Sequence, residues 1–135
     1  MDDTTIFTKI INKEIPASII YEDEKHLAFL DIRPFEKGHT LVIPKKPYEN
    51  IFEMPENELQ ELISLVQKIA KHYNKTLNCG INIAQNNLKI SGQEVNHLHF
   101  HIIPRLEDKK LYHLENCKKY EENELREYEK KLKLD

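Results

Sequence analysis

His97, His99 and His101 alternate with Leu98, Phe100 and Ile102, and Pro104 ends the run soon after. In extended backbone, successive side chains point to opposite faces. The spacing therefore predicts three imidazoles on one face, about 6.5 to 7 Å apart, and an apolar surface on the other. Three explanations stand for such a row: a metal site, a nucleophile or proton-relay array, and chance. Imidazole is a common ligand for zinc and copper. Same-face positions on one strand are nevertheless too far apart to converge on one ion with bonds of about 2.1 Å, so a metal would need a ligand from a neighbouring strand. In the second explanation the middle imidazole attacks an electrophile while its neighbours fix its tautomer and handle protons. Neutral histidine is a competent nucleophile near neutral pH. Just upstream, Asn86, Ser91 and Gly92 offer an amide, a hydroxyl and free backbone N–H groups, suited to an anionic electrophile such as a phosphate. Asn, Ser and Gly are also ordinary turn residues.

The elements that must carry these residues follow from periodicity. IIYE, HLAFLDI and HTLVIPK, between Ile19 and Lys45, read as strands of an antiparallel meander separated by charged or proline-containing turns. From residue 55 to 74 the apolar positions Leu59, Leu62, Ile63, Val66, Ile69, Ala70 and Tyr73 recur at steps of three and four. That period predicts one long amphipathic helix lying across the sheet, with Pro55 at its first position. GINIAQN and HLHFHIIP then alternate as two strands, predicted to pair as a hairpin. The fold class expected is α+β, a sheet of about five strands with one long helix packed on it. After residue 106 the chain turns lysine- and glutamate-rich, and a helix is expected from about Lys118 to Leu132 with a thin stripe of Leu125, Tyr128 and Leu132. The expected organisation is one main domain over 1–105 and a charged helical extension over 106–135.

Composition narrows the function. The 135 residues suffice for one core, and charged residues form 32% of them yet nearly cancel, leaving a net charge of -3. No basic field advertises a nucleic-acid or membrane surface, so a phosphate site must be local. Asp2, Asp3, Lys9, Lys13 and Glu14 interrupt any secretory h-region, and no apolar run is long enough to span a bilayer, so a soluble, cytoplasmic protein is expected. Cys79 and Cys117 are not spaced as a metal or redox pair and read as free thiols.

The string GQEVNHLHFHII resembles the signature of the histidine triad (HIT) superfamily, in which three histidines alternate with apolar residues. The N-terminal run TIFTKIINKEIPASIIYEDEKHLAFLDIRPFEKGHTLVIPKK resembles its Hint-type branch, so the likeness spans about residues 5 to 105. It implies a HIT-like fold and a hydrolase or transferase acting at the α-phosphate of adenosine or other purine nucleotides, such as adenosine 5′-phosphoramidates. By that resemblance His99 is the nucleophile that carries a covalent nucleotidyl intermediate, His101 contacts the phosphate, His97 supports the network, and His39 hydrogen-bonds into it. Asp31 holds the ribose hydroxyls with Ile32 beside it. Phe7, Ile10 and Ile15 form the purine slot, and Asn86, Gly92, Gln93 and Glu94 the phosphate-side loop. The scheme requires no cofactor, and a homodimer is implied. Some relatives hold a structural zinc with two cysteines and a histidine where this chain has Thr5, Thr8 and Pro47; no zinc is therefore expected here. Glu94 stands where many Hint-type members have a serine that helps protonate the leaving group. A diadenosine polyphosphate hydrolase and a nucleotide-binding scaffold with incidental chemistry are the alternative functions.

Overall fold

A computed structural model describes residues 4–108 and 114–134. A short helix α1 (Ile6–Ile11) is followed by strands β1 (Ile19–Glu22), β2 (His26–Leu30) and β3 (Thr40–Pro44), helix α2 (Glu56–Leu77), and strands β4 (Gly80–Gln85) and β5 (Phe100–Arg105). The strands form one antiparallel sheet in the order β1-β2-β3-β5-β4. The first three make the expected meander. The last two pair as the expected hairpin but enter with β5 inside, against β3, so the histidine-bearing strand sits in the sheet interior.

Alternation sorts the side chains onto two faces. Ala28, Val42, Phe100 and Ile102 pack with Leu98 against Leu62, Leu65, Val66, Ile69 and Tyr73 of α2. Leu27, Phe29, Leu41 and Ile43 pack on the other face against Phe7 and Ile10 of α1. Each fully buried aliphatic side chain here contributes at most about 1.5 to 3 kcal/mol. Helix α2 runs three residues beyond the expected end. Pro55 is its extended N-cap rather than its first helical residue, Glu56 and Glu58 favour the N-terminal end of the dipole and Lys75 the other, and Asn78 closes it in the left-handed conformation.

The N-terminal segment forms a helix that periodicity did not announce, because six residues give too short a repeat. Thr5 makes it possible: its hydroxyl accepts from the N–H groups of Phe7 and Thr8, and the Thr8 hydroxyl accepts from the N–H of Thr5. This capping box satisfies N–H groups that would otherwise be orphaned at the start of α1. The tail helix α3 (Glu124–Leu132) starts six residues later than expected, after Asn123 in a left-handed turn, and none of its residues is buried.

Candidate active site

The site lies on the α1 face of the sheet, where β3 and β5 meet. Leu41 is paired with His101 across these strands, so His101 shares the face of Leu41 and Phe29, while Phe100 and Ile102 turn toward α2. The expected alternation of faces holds, but the three histidines are not all on a strand. β5 begins only at Phe100; just before it the N–H of Leu98 donates to the carbonyl of Tyr48, in the loop after β3, at 2.7 Å. His97 and His99 are therefore held by a loop. Nor is His99 open to water as a surface strand residue would be: it is only 5% exposed.

Hydrogen bonds assign a proton to each ring. The N–H of Phe35 donates to His39 Nδ1 at 3.1 Å, so a neutral His39 carries its proton on Nε2 and donates it to His101 Nδ1, 2.9 Å away. With Nδ1 of His101 accepting, its proton sits on Nε2, free to donate outward. His99 Nδ1 donates to the carbonyl of His97 at 2.8 Å, which leaves the lone pair on Nε2. That nitrogen has no partner among the described residues and, unlike Nδ1 of His97, is not sealed from solvent. His97 donates from Nε2 to the carbonyl of Pro44 at 2.7 Å, is fully buried, and leaves its Nδ1 unpaired. It thus pins the loop to the end of β3.

All four rings are held neutral. Burial lowers the pKa of His39, His97 and His99, and in His99 it outweighs the opposing pull of the His97 carbonyl and the charges of Asp31 and Glu94. Burial, reinforced by the neighbouring His99 and His39, pushes His101 down to about 4. The rings of His99 and His101 are 4.9 Å apart. An acceptor lone pair and a donor N–H are thus carried by two adjacent rings, an arrangement that can attack a phosphorus atom and hold one of its oxygens.

The surrounding residues form two walls. On one, Asp31 follows β2; its Oδ1 accepts from the N–H of Arg33 at 2.9 Å and its Oδ2 lies 3.8 Å from His39 Nε2. Ile32 is almost wholly exposed, whereas Phe35 stacks on the His39 ring at 5.6 Å. Phe35 is a site residue that sequence reasoning missed, since nothing in the turn composition marks it. Phe7 meets the rings of His99 and His97 edge-on at 5.1 and 6.0 Å. Ile10 is buried beside it and Ile15 half-buried against the same cluster.

The other wall is the loop from Asn86 to Glu94, which contains a single 3₁₀ turn at Lys89–Ser91. Gly92 has φ of +98°, a conformation that L side chains rarely adopt, and even there an added Cβ would meet only Asn86 Nδ2 at 4.0 Å. Leu88 is strained, at φ 75° and ψ 150°, a region bulky residues enter at a cost of about 1 to 3 kcal/mol. Gln93 holds it there: its Oε1 accepts from the N–H of Leu88, and its Nε2 donates to the carbonyls of Glu49 and Val95. The buried Gln93 amide, expected at the phosphate, is thus consumed in bracing the loop. The Ser91 hydroxyl donates back to carbonyls of Asn87 and Leu88 and is likewise occupied. Asn86 keeps a side-chain amide without a partner among the described residues. Glu94 faces Arg33 of the other wall, Oε2 to Nη2 at 3.8 Å, both side chains highly exposed.

Asp31, His39 and His101 bring ligand atoms within 4.8 Å of one another. Two imidazole nitrogens on one zinc, with bonds of about 2.1 Å in tetrahedral geometry, stand roughly 3.4 Å apart. The 2.9 Å His39–His101 contact is a hydrogen bond with its proton in place. At the positions where some relatives hold structural zinc, Thr5 and Thr8 cap α1 with their hydroxyls and Pro47 has no donor side chain. These residues do not fit that metal.

The HIT domain matches residues 12–108. The chain is 59% identical over 102 residues to an uncharacterized HIT-like protein of Methanocaldococcus jannaschii, covering 76% of this chain and 79% of that one. It is 38% identical over 109 residues to the adenosine 5′-monophosphoramidase of Saccharomyces cerevisiae, covering 81% and 67%. Among solved structures, the histidine triad nucleotide-binding protein of Candida albicans superposes with a TM-score of 0.80 at 31% identity, over 96% of this chain and 94% of that one.

Proposed function

Because the chain belongs to the HIT domain family, we propose that it is a nucleotide hydrolase that splits adenosine 5′-phosphoramidates at the α-phosphorus through His99. The observation that carries this reading is the proton order of the rings, which leaves a lone pair on His99 Nε2 beside an N–H on His101 Nε2. The His99 lone pair forms a bond to phosphorus. The phosphorus–nitrogen bond breaks, its electron pair goes to the departing nitrogen, and that nitrogen takes a proton from water as it leaves as the amine. Water then attacks the nucleotidyl-histidine, loses a proton, and returns the lone pair to Nε2. The sum is phosphoramidate plus water giving AMP plus amine.

Each residue serves one of these steps. While nucleotide is attached, the positive charge on the His99 ring is met by the His97 carbonyl that already accepts from Nδ1. His101 donates to a nonbridging oxygen, and His39 holds it in that tautomer. His97 acts by pinning the loop. Asp31 accepts from the ribose hydroxyls through Oδ2, since Oδ1 is occupied by Arg33. Phe7, Ile10 and Ile15 offer an apolar face to the purine, Ile32 flanks the ribose, and the Asn86 amide receives the phosphate; the N–H groups of Ser91, Gly92 and Gln93, expected to be free for it, are instead donated to the carbonyls of Leu88 and Lys89 and shape the loop. Gln93 serves by fixing that loop.

The relatives named as adenosine 5′-monophosphoramidases favour an amine leaving group over the polyphosphate of a diadenosine hydrolase. Turnover of an AMP amide against a dinucleoside polyphosphate tests the choice: the amide is expected to have the higher kcat/KM, and the reverse order would overturn it. Residues 1–105 are assigned as the nucleotide-binding domain and 106–135 as its extension. Two copies pair in this proposal through β4, an edge strand with Ile83 48% exposed, and through Ile63 and Leu77 of α2. No helix among the described residues is long and apolar enough to cross a membrane, which suits a cytoplasmic enzyme.

A further inference from the structure

On the α1 side of His99 the rings and side chains of Phe7 and Ile10 are buried against the sheet, whereas the loops that carry Arg33 and Glu94 are exposed and leave room for a departing group. That side is built unlike the rest of the site. Arg33 and Glu94 face each other there at 3.8 Å, with 85% and 82% of their side chains exposed. The same two loops also carry large apolar side chains left exposed: Ile32 at 91%, Phe35 at 74% and Ile90 at 96% exposure. Ile32 and Phe35 share a wall with Arg33, and Ile90 shares one with Glu94. Val95 packs inward on the α1 cluster, which leaves the neighbouring Glu94 at the rim. A loose pair of this kind, in water, contributes little to stability. Its carboxylate is near enough to His99 to act on that ring's charge, so it is near enough to act on a charge in the substrate.

We propose that Glu94, with Arg33 as its counterweight, selects the leaving group by charge, favouring aliphatic amines that carry a second, cationic nitrogen and disfavouring anionic polyphosphates. This rests on the phosphoramidase reading and names its substrate class. The aliphatic stem lies along the exposed apolar side chains, and the cationic end meets the Glu94 carboxylate in competition with Arg33. A polyphosphate leaving group would bring negative charge against the same carboxylate.

The test compares adenosine 5′-phosphoramidates of cadaverine and of hexylamine, its uncharged isostere, in the full-length protein. Between exposed charges some 6 to 8 Å apart, the wild type should prefer the cadaverine substrate by about threefold to tenfold in kcat/KM at low salt. The preference should fade near ~0.5 M salt, where screening acts within a few ångströms. Glu94→Gln should bring the ratio close to one and raise turnover of a dinucleoside polyphosphate, whereas Arg33→Gln should increase the ratio. An unaltered ratio in Glu94→Gln, with both phosphoramidates still hydrolysed, overturns the charge selection and leaves the phosphoramidase reading standing. Wild type that hydrolyses neither phosphoramidate but does cleave the polyphosphate overturns the phosphoramidase reading, and this inference with it.

Discussion

Lowering the pH should weaken this fold through the same histidines that make the site, and His101 gives the clearest measure. Its pKa is held at about 4, against the usual 6.5 that it regains on unfolding. Between these values the unfolded chain binds a proton that the folded chain refuses, so stability rises with pH across that window. The His101 contribution is complete above 6.5 and is lost progressively as the pH falls toward 4. At ~1.4 kcal/mol per pH unit the ceiling is about 3.4 kcal/mol. Partial exposure of the ring brings the expected effect to about 1 to 2 kcal/mol. Denaturant unfolding of wild type and His101→Gln at a series of pH values reads this directly. Glutamine keeps an acceptor for His39 Nε2–H but does not titrate, so the variant should lose less stability than wild type on acidification from pH 7 to pH 4.5. Parallel curves, or an NMR titration placing His101 near 6.5, would refute the claim that burial and its two neighbours keep the ring neutral.

Three further outcomes are expected. Asp31→Ala should weaken binding of AMP by about 1 to 3 kcal/mol, the loss of a charged hydrogen bond, and weaken a 2′-deoxy analogue less; equal losses would remove Asp31 from the ribose. Light scattering at micromolar concentration should give about twice the chain mass of 16.1 kDa, and a fully active monomer would refute the pairing through β4. Metal analysis of protein purified without added zinc should find well under one equivalent per chain, with the melting temperature unmoved by chelators; stoichiometric zinc would contradict the roles of Thr5, Thr8 and Pro47.

Much of this site could be read from residue order, because its logic is the two-residue period of extended chain. His101 and the packing of Leu98, Phe100 and Ile102 toward α2 follow from alternation alone, and so do β2, β3 and the β4–β5 hairpin. What escaped depends on contacts distant in sequence. The Leu98 N–H is claimed by Tyr48, fifty residues away, and this lifts His97 and His99 off the strand. Gln93 was placed at the phosphate only by its match to the Hint-type loop; the fold shows its donors directed to Glu49 and Val95. Phe35 was invisible because its contribution is a backbone N–H and a ring placed on His39 by the turn after β2. Helix α1 depended on a reciprocal threonine cap, which six residues of sequence without a repeat do not advertise. The tail helix was placed too early because a run of lysine and glutamate favours helix everywhere and marks no start.

If His99 Nε2 carries the nucleotide between the two displacements, that adduct can be trapped. Wild-type protein mixed with an adenosine 5′-phosphoramidate, quenched at neutral to alkaline pH within a turnover and digested, should yield the peptide containing His99 with one AMP attached, labile to acid. His99→Ala should give neither adduct nor turnover while unfolding cooperatively. An adduct mapped to another residue, or an alanine variant as active as wild type, would contradict the account.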